Sequence, residues 1–226
     1  MAIQGRLPPM DGERFLKHIE ANFAANYLTV LGIAQNVVLG ILILRTAQAL
    51  SEPARVGSAG AAFTWMAAGL TFLIVVLVWY SYQWSTYLDR WVPGLPDSAI
   101  PFMLAASQGL LAVSVDSPSV FFWGLFATGL VGVLAYLHTL SRIASADFNP
   151  PEVYTYHRQH NRGSLLVALL GSAYAFVVNV WLTPSKWWLV PVIVIVIALI
   201  AISSRQWNKI LIYLTGVEGK AAGPRD

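Results

Sequence analysis

A chain of 226 residues with 57% hydrophobic and 11% charged side chains is too apolar for an ordinary soluble protein and indicates a membrane-integral class. The formal charge of +3 comes from basic residues dispersed along the chain, so no concentrated face for binding nucleic acid is predicted. The absence of cysteine excludes disulfides and thiolate metal sites.

Six apolar segments are each about as long as a bilayer is thick, since a helix needs about 20 apolar residues to cross the hydrocarbon core. The predicted spans lie near residues 27–44, 60–80, 99–115, 120–140, 164–182 and 187–204. No charged residue lies inside these segments, and Asp97 and Asp116 are predicted to lie in loops. The sequence therefore predicts one all-α polytopic domain over residues 1–226, with six transmembrane helices.

The residues before the first span have an amphipathic pattern. Apolar side chains recur at helical spacing among polar ones, at Phe15, Leu16, Ile19 and Phe23. This pattern predicts a short amphipathic helix within residues 1–26, lying on the cytoplasmic surface of the membrane.

Two later polar stretches are also predicted to be cytoplasmic. The Pro150-Pro151 break predicts an ordered turn over residues 147–163. Residues 205–226 are predicted to form a tail that extends the last helix until Gly216 and Gly219 end it.

The distribution of basic residues predicts the orientation. With the N-terminus in the cytoplasm, eleven of the fourteen Lys and Arg residues lie inside, while Arg45, Arg55 and Lys186 lie outside. Both termini are therefore predicted to be cytoplasmic, in a membrane of the bacterial inner type. Anionic membrane lipid is then the expected partner of the basic loops.

Four amides at membrane depth are the candidate site residues, because an amide without a partner in hydrocarbon costs several kcal/mol. They are Gln35, Asn36, Gln108 and Asn179. Interhelical hydrogen bonding and the lining of a hydrated path both satisfy such groups. An aliphatic stripe follows the first pair, and Ile41 and Leu44 in it are the candidate constriction of a path.

Small residues at intervals of four predict close helix packing, either within one subunit or between subunits. The first span has Gly32 and Gly40 on the face of Asn36. The other predicted packing residues are Gly124, Thr128 and Gly132 in the fourth span and Gly171 and Ala175 in the fifth.

Motifs for catalysis are missing from the spans. No acid lies within a span, and no H-E-x-x-H helix or G-x-S-x-G turn occurs, so a non-enzymatic protein without a cofactor is expected. His157 and His160 lack a well-placed third ligand, so no metal site is predicted. His138 has no partner at helical spacing and is predicted to be a packed or interfacial imidazole rather than a metal or haem ligand.

The polar pair and aliphatic stripe of the first span, Gln35-Asn36-Val37-Val38-Leu39-Gly40-Ile41-Leu42, resemble the pore helix of the bacterial relatives of the lysosomal potassium channel. The Trp79-Tyr80-Ser81-Tyr82-Gln83-Trp84 end of the second span and the link into Ala105-Ala106-Ser107-Gln108 are also similar. The resemblance implies six-span subunits with cytoplasmic ends, in tetramers whose first helices line a pore closed by aliphatic rings. The family's Phe-Ser-Asp signature is absent, with Ile33-Ala34-Gln35 or a nearby triplet in its place.

Three functions follow from these patterns as hypotheses. The first is a homo-oligomeric pore or channel-like protein whose first span lines the path. The second is a noncatalytic subunit of a larger membrane complex, and the third is a small transporter or lipid-handling protein. A transporter of this kind is expected to have an inverted repeat and broken helices, and no clear three-plus-three repeat occurs in the sequence.

Overall fold

The structure is a computed structural model. Six α-helices account for nearly all of the residues that it describes. It describes the backbone of residues 12–51, 53–88, 95–144, 148 and 151–221, and the side chains of 27–51, 59–86, 88, 96–144, 148 and 151–212. The helices are α1 (Gly12–Ser51), α2 (Pro53–Leu88), α3 (Leu95–Val113), α4 (Pro118–Arg142), α5 (Pro151–Trp181) and α6 (Leu189–Ala221), with a 3-10 turn at Lys186–Trp188.

Five segments are long and apolar enough to cross a membrane, and they confirm the predicted helical, membrane-integral class. These segments are Tyr27–Ser51, Ala59–Thr86, Pro118–Arg142, Pro151–Trp181 and Lys186–Ile212. The third predicted span forms α3, which is not among the five. Its 19 residues include Asp97, Ser107 and Gln108, which lower its hydropathy.

Three helices continue beyond the predicted boundaries. The predicted surface helix before the first span is not a separate element, because α1 runs without a break from Gly12 to Ser51, about 60 Å at 1.5 Å per residue. The side chains of its predicted amphipathic face, and all of residues 1–11, lie outside the described residues. The membrane-depth part of α1 therefore continues directly into an N-terminal extension.

The predicted turn over residues 147–163 is helical from Pro151 onward, so that prediction was wrong for most of its length. Proline is well tolerated in the first turn of a helix, where its missing N–H has no intrahelical partner in any case. Gly216 and Gly219 likewise do not end α6, which continues to Ala221. A glycine weakens a helix without necessarily ending it.

The interior is an apolar core in which α2 and α4 supply the largest side chains. Phe63 of α2 meets Phe121 of α4 edge to face, with ring centroids 5.8 Å apart. Helix α3 packs against α1, α2 and α4, so these neighbours shield its buried Asp97, Ser107 and Gln108 side chains from lipid. α6 lies at the edge of the bundle and contacts α2 and α5.

The most extensive helix pair is α4 with α5, and the sequence analysis did not single out its closest point. A Cβ atom on Gly129 would lie 2.7 Å from Cβ and 3.1 Å from Cα of Ser172. The Ser172 hydroxyl donates to the carbonyl oxygen of Phe126 at 3.0 Å. Glycine is required at residue 129 because the backbone of α5 occupies the space where a side chain would lie.

Candidate functional site

Two of the predicted amides meet between α1 and α3. Gln35 Nε2 donates to Gln108 Oε1 at 3.0 Å, and both side chains are buried. Gln35 Oε1 and Gln108 Nε2 are buried without a protein partner in the described part of the chain. The contact is an interhelical hydrogen bond of the kind that joins helices in lipid, and it uses only the nitrogen of the Gln35 amide and only the oxygen of the Gln108 amide.

Asn36 points away from this pair although it is the next residue, because successive helical residues are rotated by about 100°. Its side chain is exposed and makes no hydrogen bond to the described residues. It lies close to the middle of the 25-residue span Tyr27–Ser51. The surface formed by the described residues therefore presents an amide without a protein partner at membrane depth.

The two glycines on the Asn36 face have open space around them. Among the described residues, a Cβ atom on Gly32 or on Gly40 would meet nothing within 4 Å, so neither glycine forms a packing seam with another described helix of the chain. The two candidate constriction residues differ in position. Leu44 is 57% exposed, whereas Ile41 is partly buried against the core.

The fourth predicted amide lies elsewhere. Asn179 is near the end of α5 and accepts a hydrogen bond from the Ser119 hydroxyl at 2.9 Å. Ser119 is in the first turn of α4, so this bond joins two helix ends. The structure therefore brings Gln35 and Gln108 into contact, whereas Asn36 and Asn179 do not contact this pair.

The small residues predicted to pack are divided between internal seams and open surface. A Cβ atom on Gly124 would lie 2.9 Å from the Leu111 side chain, and one on Gly132 would lie 3.5 Å from Ala168 Cβ. Thr128 and Ala175 are buried as well. Nothing lies within 4 Å of a Cβ atom on Gly171, so the predicted contact at this position is not made within the subunit.

A charged cluster at the opposite end from Arg45 was missed by the sequence analysis. Asp97 was predicted in a loop but lies in the first turn of α3, where its side chain is fully buried. It pairs with Arg142 and approaches His138 Nε2 with Oδ1 at 2.7 Å. His138 is therefore not isolated. It is four residues before Arg142, which places both side chains on one face of α4, and this spacing is the sequence signal that could have indicated the cluster.

The same end of the bundle contains a second group of interhelical polar contacts. The rings of Tyr82 on α2 and Tyr27 on α1 lie against each other, with centroids 5.9 Å apart. The Tyr136 hydroxyl of α4 lies near Ser81 of α2 and Ser164 of α5. These contacts connect α1 to α2 and α4 to both α2 and α5.

An aromatic stack closes this end of the bundle. The rings of Trp84 and Trp207 lie parallel, with centroids 4.8 Å apart and an interplanar angle of 6°. His157 and His160 lie against Trp207 at 5.8 and 5.4 Å between ring centroids, and His160 Nδ1 lies 2.7 Å from Gln206 Oε1. Trp84 therefore packs against α6, and the stack joins the ends of α2 and α6.

A cavity of about 60 Å³ lies beside the stack, and α2, α3, α4, α5 and α6 all contribute to its wall. Its wall includes Tyr82, Tyr136, His160 and Trp207. Within the described residues, no group of three His, Asp or Glu side chains is placed to hold a metal ion.

Two features thus stand out: an outward amide on α1 and an internal polar end with a cavity. The first can pair with another chain or with water at membrane depth, and the second can hold small hydrogen-bonding molecules. No family model, curated protein or solved structure matches the chain.

Proposed function

We propose that the chain is a homo-oligomeric, channel-like membrane protein in which the α1 helices of several copies line the path. The observation that carries this proposal is the exposed amide of Asn36, which has no hydrogen-bond partner among the described residues and lies close to the middle of an apolar span. An amide facing hydrocarbon costs several kcal/mol, and contact with a second copy or with a hydrated path removes that cost.

The surroundings of Asn36 support a close approach of α1 helices. Gly32 and Gly40 lie one turn before and one turn after it, with open space at both positions. Small residues at this spacing let helix backbones approach in lipid. One turn beyond Gly40, the exposed side chain of Leu44 supplies the apolar ring that closes the path.

The proposal includes α3 as a sixth crossing, with both termini in the cytoplasm. Its 19 residues extend about 28 Å, close to the thickness of the hydrocarbon core. Shielding by α1, α2 and α4 makes its buried Ser107 and Gln108 compatible with that depth. The excess of basic residues on one side and the layout resembling the bacterial potassium-channel relatives support the same topology.

A second candidate function is a noncatalytic subunit of a larger membrane complex. The Asn36 face suits this role too, because a polar side chain on a different partner helix satisfies the amide equally well. In that case the chain alone conducts no ions and is recovered with the partner.

The test is purification in mild detergent, measurement of the oligomer mass, and cation and anion flux in liposomes made from the same sample. We expect a homo-oligomer that conducts, with flux abolished in Asn36→Leu and retained in Asn36→Gln, which keeps an amide. Leu169→Ala, an exposed change on α5, serves as the control and should conduct normally.

The outcomes separate the candidates. Loss of flux with an intact oligomer assigns Asn36 to the path, and loss of both assigns it to the contact between subunits. A silent monomer contradicts the proposal, and a silent chain bound to another protein favours the accessory subunit.

A further inference from the structure

The second feature, the cavity beside the Trp84–Trp207 stack, lies inside one subunit and is unrelated to the α1 face. Residues from α2, α3, α4, α5 and α6 form its wall. On α5 the apolar run begins at Ser164, one turn beyond His160. The cavity therefore lies where the bundle passes from the apolar part of the membrane to its aqueous boundary.

The indole nitrogen of Trp207 lacks an acceptor. Trp207 is 1% exposed, and its Nε1 is buried without a hydrogen-bond partner in the described part of the chain. A buried N–H donor in this condition costs about 1–3 kcal/mol. Trp207 is also part of the cavity wall, so the ring that carries this unsatisfied donor borders the cavity.

Hydroxyl oxygens in the wall supply the complementary groups. Ser81 donates to the carbonyl oxygen of Leu77 at 2.8 Å, and Thr139 donates to that of Ala135 at 3.0 Å. Each hydroxyl has then used its one proton, while its oxygen keeps lone pairs that accept hydrogen bonds. The wall thus combines a donor without an acceptor in the described part of the chain with hydroxyl oxygens that can accept further hydrogen bonds.

We infer that this cavity is a binding site for a small cluster of water molecules, held by the Trp207 indole N–H and the hydroxyls of α2 and α4. A site for one water requires about 10–15 Å³ and two to four polar partners. A volume of about 60 Å³ is enough for about four waters. These waters give the buried His160 side chain contact with solvent from the aqueous end of the bundle.

The first test is NMR of the full-length protein in lipid nanodiscs with ¹⁵N-labelled indoles. The signal of Trp207 is assigned by its loss in Trp207→Phe. We expect this indole N–H to show magnetisation exchange with water. A Trp207 signal without a water cross-peak and with slow exchange into D₂O would overturn the inference.

The second test uses the natural absence of cysteine, which removes any background reaction. Ala135 lines the cavity, whereas Ala175 is 1% exposed and lies in the apolar core. We expect Ala135→Cys to react with the small neutral reagent methyl methanethiosulfonate at least tenfold faster than Ala175→Cys. Equal protection of the two thiols would contradict a hydrated cavity.

A filling variant keeps the inference testable if either cysteine variant fails to fold. Ala135→Val reduces the cavity volume, and Ala198→Val on the exposed face of α6 is the matched control. We expect the Trp207 water cross-peak to weaken in the first variant and persist in the second. The same intensity in both variants would show that the indole does not contact water in this cavity. Neither result depends on whether the protein conducts ions.

Discussion

Gln35 of α1 and Gln108 of α3 hydrogen-bond through their side-chain amides at 3.0 Å, and each keeps one buried amide atom without a partner among the described residues. The pair therefore fixes the position of α3 against α1 while it retains an energetic cost. A partly satisfied amide pair specifies how the two helices pack. Replacing both amides with apolar side chains should therefore change the stability differently from replacing only one of them.

The first prediction concerns that pair. Gln108→Leu leaves the whole Gln35 amide unpaired in the core, and we expect it to lower the free energy of unfolding by about 1–3 kcal/mol. Gln35→Leu should have a similar effect, whereas the double variant should recover most of the loss because no buried amide remains. Thermal unfolding of the four proteins in one detergent measures the cycle. Additive losses in the double variant would contradict the coupling.

The second prediction compares two Arg–Asp pairs that differ in burial. Arg142 faces the fully buried Asp97, while Arg45 pairs at 3.5 Å with Asp116, which is 37% exposed. We expect Arg142→Met to cost about 2 kcal/mol of stability, because it leaves a buried carboxylate with one fewer partner. Arg45→Met should cost less than about 1 kcal/mol, because water solvates the remaining charge. Equal shifts in unfolding temperature for the two variants would show that the burial of Asp97 does not determine how much its ion pair contributes to stability.

The third prediction concerns the closest contact of α4 with α5. Gly129→Ala places a methyl group against the backbone of Ser172, and we expect a loss of about 1–3 kcal/mol as the helices move apart. Gly171→Ala is the control, because its new Cβ atom meets nothing within 4 Å. The control should be neutral or slightly stabilising in thermal unfolding, since alanine favours helix more than glycine does. If Gly129→Ala left the unfolding temperature unchanged, residue 129 would not be the closest contact between α4 and α5.

The fourth prediction separates the two candidate constriction residues. Leu44→Ala should change the flux of the reconstituted oligomer with little effect on unfolding, because its side chain is exposed on the proposed path side of α1. Ile41→Ala should destabilise the subunit, since it removes atoms that pack against the core. The two variants are compared by flux and by thermal unfolding in parallel. If only the Ile41 variant changed the flux, the face of α1 that carries Ile41, and not the face that carries Leu44, would line the path.

The sequence predicted the helical, membrane-integral class, and five long apolar helices confirm it. It also predicted that amides at membrane depth need partners, and Gln35 with Gln108 is such a pair. It failed at several helix boundaries, such as the turn predicted before Gly163. There Pro151 is the first residue of α5 and does not interrupt a turn. Packing in the interior extends the helix beyond its apolar part.

The charged cluster could not be predicted, because Asp97, His138 and Arg142 lie on two helices separated by more than 40 positions in the sequence. The length of an apolar run is a local property, and the need to satisfy backbone groups in lipid turns such a run into a helix. The sequence by itself therefore determined the class and approximate positions of the helices. The rotation of each helix about its axis depends on contacts with its neighbours, so the tertiary structure alone decided that Gln35 faces inward, that Asn36 faces outward and that Trp207 borders a cavity.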